Sequence, residues 1–189
     1  VYHAFGSSTA LTVQSGTWSV TGGVCKKTGG GNAYHTIYHD DDMSSDDHAA
    51  RCIQASSTVS RFAAVICRHP GSADTGYFNA QWYASGLKMY GGKLVSGTRT
   101  DLNANVSNTG GTGIAVRADG SDVRYWYGSA NASSTDTAIT GNTKCGLMQW
   151  DDSTTNTCQE PFLFHDELTA VGGDETFDAA ESFTGSWTN

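Results

Sequence analysis

The sequence predicts an all-β domain built as an antiparallel two-sheet β-sandwich. Apolar and polar residues alternate along many short segments, which is the periodicity of strands with one buried face. Stretches rich in Gly, Ser, Thr and Asn separate these segments, and the chain has 23 glycines but only 2 prolines, a composition typical of tight turns. A helical pattern is nearly absent, with one weak segment at 174–183. We therefore expect about a dozen strands in a single domain spanning residues 1–189.

The first half of the chain contains one strand that is apolar on both faces. Residues 62–67 are Phe-Ala-Ala-Val-Ile-Cys, which predicts a central strand covered on both sides. An acidic loop at 40–47 separates two other predicted strands. The strands predicted in this half are 16–20, 22–25, 33–39, 48–55 and 62–67.

The second half contains a well-defined hairpin. The dipeptide Asp-Gly at 119–120 is a strong turn signal between the strand segments 113–118 and 123–127. We expect the side chains of Trp82 and Trp126 to lie in the core, because large aromatic residues bury much apolar surface. The strands predicted in this half are 77–84, 86–90, 92–95, 113–118, 123–127, 146–150 and 161–165.

The charge balance excludes some classes of partner. The formal net charge is −8 and the isoelectric point is about 5.0, which disfavours nucleic acid and anionic membranes. No apolar run approaches the roughly 20 residues of a membrane helix. The first residues, Val-Tyr-His-Ala, lack the charged start and apolar stretch of a signal peptide. We expect a protein of a virion or of an extracellular surface.

The spacing of the cysteines does not match a recognisable disulfide framework. There are five, an odd number at irregular spacing, and no Cys-x-x-Cys occurs, so a zinc knuckle or a redox motif is not expected. Cys52 and Cys67 lie in strand-like segments and are interpreted as small buried side chains. Cys145 and Cys158 flank a turn-rich segment, and a disulfide across a hairpin is the alternative for this pair.

The sequence shows no catalytic constellation. Glycosidases need two carboxylates that face one glycosidic bond, and all four glutamates lie at or beyond residue 160. No Gly-x-Ser-x-Gly elbow and no phosphate-binding glycine loop followed by Lys is present. We therefore predict that the protein is not an enzyme, while pairs of aspartates keep glycoside hydrolysis open as an alternative.

The acidic loop at 40–47 is the candidate metal site. Clustered carboxylates and carbonyls are the hard oxygen ligands that calcium prefers, although the spacing is not that of an EF-hand and a solvated loop is the alternative. The candidate calcium ligands are Asp40, Asp41, Asp42, Asp46 and Asp47. His35 and His39 share a predicted strand face but are too far apart to ligate one ion easily, so they are interpreted as surface or half-buried histidines.

Aromatic and amide side chains are the candidate ligand-binding residues. Sugars are bound by aromatic faces together with amide and carboxylate hydrogen bonds. The competing interpretation is that these tyrosines rim the sheets or lie in the core. The candidate glycan-binding residues are Asn79, Gln81, Tyr83, Tyr90, Tyr125, Tyr127 and Trp150.

Several short motifs resemble one family when they are taken in order. They are Gly-Thr-Trp-Ser-Val-Thr-Gly-Gly-Val from residue 16, Phe-Ala-Ala-Val-Ile-Cys-Arg from 62, Ala-Asp-Gly-Ser from 118, Asp-Thr-Ala-Ile-Thr-Gly from 136 and Phe-His-Asp-Glu-Leu from 164. Over roughly residues 15–170 the chain resembles the concanavalin A-like, laminin-G-like jelly rolls of phage virion proteins and bacterial surface proteins. The resemblance implies two antiparallel sheets, one of them concave, and a calcium ion at a sheet rim.

The resemblance implies several functions, because this fold serves as glycan-binding modules, as virion decoration or fibre domains and sometimes as glycosidases. Our leading hypothesis is a non-catalytic structural or adhesion module of a surface assembly, most plausibly a phage virion decoration (capsid cement) or fibre protein. Its expected partners are neighbouring proteins of that assembly and cell-surface glycans. The alternatives are a free carbohydrate-binding lectin and a glycoside hydrolase or lyase of this fold.

Overall fold

A computed structural model shows a sandwich made of strands. It describes residues 2–3, 11–21, 24–55, 63–83, 87–108, 113–150 and 157–165, with backbone alone for 2–3, 54–55, 82–83, 87 and 157–165. The strands in these ranges are β1 (Tyr2–His3), β2 (Leu11–Val13), β3 (Thr17–Thr21), β4 (Val24–Gly29), β5 (His35–His39), β6 (His48–Ala55), β7 (Ala63–His69), β8 (Gly76–Tyr83), β9 (Leu87–Val95), β10 (Thr98–Ser107), β11 (Gly113–Asp119), β12 (Asp122–Tyr127), β13 (Ala130–Thr135), β14 (Lys144–Gln149) and β15 (Thr157–His165).

The strands form two antiparallel sheets. The eight-stranded sheet has the order β13-β12-β11-β6-β15-β4-β3, with β1 also paired to β15, and the seven-stranded sheet has the order β10-β9-β8-β7-β14-β5-β2. This arrangement confirms the predicted all-β, antiparallel two-sheet sandwich. No helix with the length and apolar character needed to cross a membrane occurs in the part of the chain that the structure describes.

The main core lies between the sheets. Val65 and Cys67 of β7 and Tyr77 of β8 pack there against Val116 and Tyr125 of the opposite sheet. The other face of the seven-stranded sheet carries a second buried cluster. It consists of Ala64, Ile66, Phe78, Ala80, Tyr90, Leu94 and Met148. Every residue of β7 is buried, which confirms the prediction of a central strand covered on both sides.

Two contacts across the core set the separation of the sheets. The ring of Tyr125 lies against the backbone of Gly91 so closely that a Cβ on that glycine would be 2.5 Å from ring atoms. Beside it, Asn79 is the register partner of Gly91 and reaches the opposite sheet. The Nδ2 of Asn79 donates to the carbonyl oxygens of Ala115 and Trp126, at 2.8 and 2.7 Å. A buried amide therefore joins the two sheets by hydrogen bonds to backbone.

Four strands, β1, β2, β10 and β13, are absent from the sequence prediction. In β10 six of ten residues are exposed and in β13 three of six, and each strand lies at the end of its sheet, so neither carries the apolar signal of a covered strand. β10 is also interrupted by register shifts and contains Asn105 with a φ of 61°, which breaks its alternation. The strands predicted at 86–90 and 92–95 correspond to a single strand, β9, whose described residues begin at Leu87. The predicted helical segment, 174–183, lies outside the described residues.

The alternative of a Cys145–Cys158 pair across a hairpin is wrong. Cys145 lies in β14 of the seven-stranded sheet, whereas Cys158 lies in β15 of the eight-stranded sheet. The two strands follow each other in sequence but cross from one sheet to the other. Cys52 and Cys67 are fully buried, as predicted.

Gly91→Ala is expected to destabilise the fold by about 3 kcal/mol, because the added methyl group overlaps the Tyr125 ring and must separate the sheets. Urea denaturation of the variant and the wild type measures this difference. Gly29→Ala is the control, since its Cβ would meet only the side chain of Thr17 at 3.2 Å, and we expect it to cost less than about 1 kcal/mol. Equal losses in the two variants would contradict close packing at Gly91.

Candidate functional site

Four of the predicted glycan-binding residues lie on the inner faces of the sheets. Asn79 and Gln81 of β8 are 0% and 4% exposed, and Tyr125 and Tyr127 of β12 are 0% and 1% exposed. Their side chains are packed in the core and are not presented at a surface. The side chain of Tyr83 lies outside the described residues, although its backbone belongs to β8.

The other two predicted residues lie beside the outer face of the seven-stranded sheet. Tyr90 is 7% exposed, and its hydroxyl donates to Oδ1 of Asn105. The guanidinium of Arg99 lies 5.4 Å from the centroid of the Tyr90 ring and helps to fill this face. Trp150 is 37% exposed, and its ring centroid is 4.4 Å from that of Tyr34. Trp150 and Tyr34 therefore form a small aromatic platform.

A depression of about 210 Å³ lies on the outer face of the eight-stranded sheet. We call it the Trp126 depression. Its lining residues are Arg124, Trp126, Asn131, Ala132 and Ser133. They come from β12 and from the edge strand β13, so the depression lies at one end of the sheet.

The expectation that Trp126 belongs to the core is wrong. Strand β12 alternates regularly, with Val123, Tyr125 and Tyr127 buried and with Arg124 and Trp126 half-buried. Successive side chains of a strand point to opposite faces, so Trp126 shares the outer face with Arg124. In the sequence, Arg124 already indicated that Trp126 faces outward, because a charged side chain marks the solvent face of an alternating strand.

The backbone around the Trp126 depression is held by regular pairing and by side chains. Trp126 is the register partner of Asn131, and Arg124 is the partner of Ser133. The Nε of Arg124 donates to Oδ2 of Asp122 at 2.7 Å, which orients the guanidinium. Behind the sheet, the amide of Asn79 binds the carbonyl oxygen of Trp126. The lining is therefore preorganised by the fold.

The edge strand is also fixed from the other sheet. Nδ2 of Asn103 in β10 donates to the carbonyl oxygen of Ser133 in β13, at 3.1 Å. This bond holds the strand that carries Asn131 and Ser133. An indole, an amide, a hydroxyl and a guanidinium at one shallow depression combine an apolar face with hydrogen-bonding groups, which is the chemistry that binds a sugar ring.

The acidic loop at 40–47 is organised by a buried arginine. Arg68 is 1% exposed and adopts a φ of 50° at the end of β7. Its Nε donates to the carbonyl oxygen of Asp46 at 2.6 Å, and its Nη2 donates to Oδ1 of Asp47 at 2.9 Å. Its Nη1 donates to the carbonyl oxygen of Ile139 at 2.9 Å. One cation thus joins the acidic loop to the segment after β13.

The carboxylates of this loop also accept hydrogen bonds from outside it. The backbone amide of Gly141 donates to Oδ2 of Asp46 at 2.6 Å and holds the pKa of Asp46 below its usual value. The hydroxyl of Thr143 donates to Oδ1 of Asp42 at 2.6 Å and lowers the pKa of that carboxyl. These aspartates are engaged in binding the adjoining loop.

The first two aspartates of the loop have neighbours as well. Asp40 accepts a hydrogen bond from the hydroxyl of Thr12, and Asp41 lies 3.8 Å from Nδ1 of His39. Within the described residues, no three His, Cys, Asp or Glu side chains come together as a metal-binding group. The five aspartates are spread along the loop, and Arg68 supplies a positive charge at its base.

A polar network joins β2, β5 and the loop after β7. Oδ1 of Asp74 accepts hydrogen bonds from the hydroxyls of Ser15 and Thr36, at 2.7 and 2.6 Å. Nδ1 of His35 lies 2.8 Å from the Ser15 hydroxyl oxygen. The order differs from that of a catalytic triad, because the serine proton goes to the aspartate and the histidine does not lie between the two. The network fixes backbone positions.

Two buried histidines are held in their neutral form. Nδ1 of His69 accepts from the amide of Gly71 at 2.9 Å, and Nε2 lies 2.9 Å from the hydroxyl oxygen of Thr36. Burial lowers the pKa of His69 to about 4. Nε2 of His48 accepts from the amide of Arg68 at 3.0 Å, and burial likewise lowers the pKa of His48. Both rings act as structural hydrogen-bonding groups.

Comparison with known structures identifies the fold. No known protein family matches the sequence, and no curated protein matches it. The structure is similar to the carbohydrate binding module CBM66 from Bacillus subtilis, with a TM-score of 0.61 and 16% identity over 84% of this chain and 96% of that chain. The chain has the concanavalin A-like fold.

Two further structures are similar. The exoplasmic/lumenal domain of VIP36, in a Ca2+/Man3GlcNAc-bound form, has a TM-score of 0.59 and 12% identity over 94% of this chain and 92% of that chain. The GH43 protein BlXynB from Bacillus licheniformis has a TM-score of 0.53 and 17% identity over 80% of this chain but 35% of that chain. These likenesses confirm the predicted jelly-roll resemblance at the level of the fold.

Calcium is expected to leave the melting temperature unchanged within about 1 °C, because Arg68 and neighbouring donors already compensate the acidic loop. Thermal denaturation in 1 mM calcium chloride and in EDTA measures the shift. A site with a Kd of about 10 μM would add about 2.7 kcal/mol and raise the melting temperature by roughly 5–10 °C. A shift of that size would show that the loop binds calcium.

Stability is expected to fall as the pH drops from about 6.5 to about 4. His69 has a lower pKa in the folded state than in the unfolded chain, so the unfolded chain binds more protons in this window. The contribution of His69 to the free energy of unfolding is complete above pH 6.5 and declines by about 3 kcal/mol toward pH 4. His69→Gln, which keeps a donor for Thr36, should show a flatter dependence of unfolding free energy on pH. Identical slopes for both proteins would contradict this assignment.

Proposed function

We propose that this chain is a non-catalytic carbohydrate-binding module and that the Trp126 depression holds the sugar. The observation that carries the proposal is the outward-facing indole of Trp126 beside the exposed side chains of Asn131 and Ser133. The C–H bonds of a pyranose pack on an aromatic face, while its hydroxyls exchange hydrogen bonds with amide, hydroxyl and guanidinium groups. Each of these groups is present at the depression.

The similar structures support this function. One is named as a carbohydrate binding module, and another is a domain described in complex with calcium and Man3GlcNAc. Hydrolysis has less support, because the GH43 protein is matched over only 35% of its length. Within the described side chains, the Ser15, His35 and Asp74 network is arranged for structure and not for nucleophilic attack.

We also propose that the module is displayed on a surface assembly, of which a virion decoration or fibre protein is the leading example. The low content of charged residues, 16%, and the net charge of −8 support this location. Edge strands β10 and β13 lie next to each other, and exposed strand edges are surfaces at which neighbouring subunits pair. Glycan binding and assembly are compatible roles for one module.

Trp126→Ala is expected to lower glycan affinity by about tenfold or more, since the stacking face is lost and tenfold corresponds to about 1.4 kcal/mol. A glycan array identifies the ligand for the wild type, and titration calorimetry measures both affinities. Trp150→Ala is the matched control, because it removes a solvent-facing tryptophan from the other sheet, and it should bind like the wild type.

Three outcomes would count against this assignment. Loss of binding in Trp150→Ala alone would place the sugar on the Trp150 and Tyr34 platform. Release of reducing sugar by the wild type would indicate a hydrolase. A wild-type protein that binds no glycan and copurifies with particles at fixed stoichiometry would have a purely structural role.

A further inference from the structure

Two cysteines lie directly opposite each other in the eight-stranded sheet. Strands β4 and β15 are antiparallel, and the Cα register partner of Cys25 is Cys158. Directly opposed residues of an antiparallel pair have Cα atoms about 4.5–5.5 Å apart, which lies within the range spanned by a disulfide, about 4.4–6.8 Å. The side chain of Cys25 is 1% exposed.

Two of the remaining cysteines have other register partners, and Cys145 falls at a register shift between Lys144 and Gly146. Cys52 is opposite Ile114, and Cys67 is opposite Tyr77. Cys145 lies in the other sheet, where its Sγ is 3.8 Å from the carbonyl oxygen of Ala49. Among the described strands, Cys25 and Cys158 are the pair of cysteines that the register places opposite each other.

The position of this pair gives a disulfide a structural role. Strand β4 is joined to β15 through two register pairs, Cys25 with Cys158 and Val24 with Gln159. By comparison, β11 and β12 are joined through six. The hairpin of β3 and β4 is attached to the rest of its sheet through this short seam. A covalent bond there would reinforce a seam of two register pairs.

We propose that Cys25 and Cys158 form a disulfide, which is independent of the glycan-binding proposal. The thiolate of one cysteine attacks a small-molecule disulfide such as oxidised glutathione, and one thiol of that reagent leaves. The second cysteine then attacks the mixed disulfide, and a second thiol leaves. Two protein thiols are oxidised, one small-molecule disulfide is reduced to two thiols, and two protons pass to those thiols. The bond closes a loop of about 130 residues, which strongly restricts the unfolded chain.

Peptide mapping tests the pairing directly. The full chain is refolded with oxidised and reduced glutathione, alkylated, and digested with trypsin and with a protease that cleaves before aspartate. The second protease is needed because trypsin leaves Cys145 and Cys158 on one peptide. We expect a cross-linked product of peptides 1–26 and 152–165, and about three free thiols where the reduced chain has five.

Thermal denaturation tests its effect. Dithiothreitol should lower the melting temperature of the oxidised wild type by about 10 °C, and Cys25→Ser should remove this sensitivity. Cys145→Ser is the matched control and should keep it. Five free thiols after oxidative refolding, or a cross-link that contains peptide 145–150, would overturn the proposal. The peptide map of the wild type decides the matter even where Cys25→Ser fails to fold.

Discussion

The contact between Gly91 and the ring of Tyr125 is the constraint on which the two-sheet arrangement depends. A side chain of any size at residue 91 would overlap the ring, so the sheets can approach closely only because that residue is glycine. The same approach brings Asn79 within reach of the backbone of the opposite sheet. The two N–H groups of its buried amide are satisfied by backbone carbonyl oxygens. The hydrogen bonds of Asn79 to the opposite sheet therefore depend on the close spacing of the sheets at Gly91.

This arrangement connects the core to the outer surface. Asn79 binds the carbonyl oxygen of Trp126 from the inside, while the indole of Trp126 faces outward. A change in the core at Asn79 would therefore reach the lining of the Trp126 depression through a single peptide unit. A shallow site on a sheet depends on such support from behind, since few side chains surround the ligand.

At the rim of the sandwich, a buried positive charge is compensated by the acidic loop. Arg68 is almost fully buried, and burial of an unpaired cation is costly. Its guanidinium and backbone are instead satisfied by Asp46, Asp47, Ile139 and His48. The same groups that look like metal ligands in the sequence thus serve as partners for a side chain from a distant strand. Sequence alone cannot distinguish these roles, because Arg68 is brought to the loop by the fold.

The sequence predicted the covered strands well and the edges poorly. Alternation and apolar runs identify β7, β8, β11 and β12, where burial determines the residue types. The exposed edge strand β13 has no such requirement, and it supplies Asn131 and Ser133 to the depression, so the candidate site was missed with it. Residues on the predicted binding face of β8 do share a face, but periodicity does not reveal whether that face is inside or outside. The sequence also did not predict that Cys25 and Cys158 lie opposite each other, because this depends on the register of two strands that are far apart in the chain.

The small volume of the Trp126 depression has a consequence for how the protein can act. A depression of about 210 Å³ is smaller than the pockets of about 300–1,000 Å³ that enclose most small-molecule ligands, so one module would hold a sugar weakly and release it quickly. Many copies fixed on one particle would change this, because each bound copy raises the effective concentration of its neighbours at the glycan surface. Avidity would then give stable attachment although each single contact is short-lived, and the number of copies per area would determine the strength of adhesion.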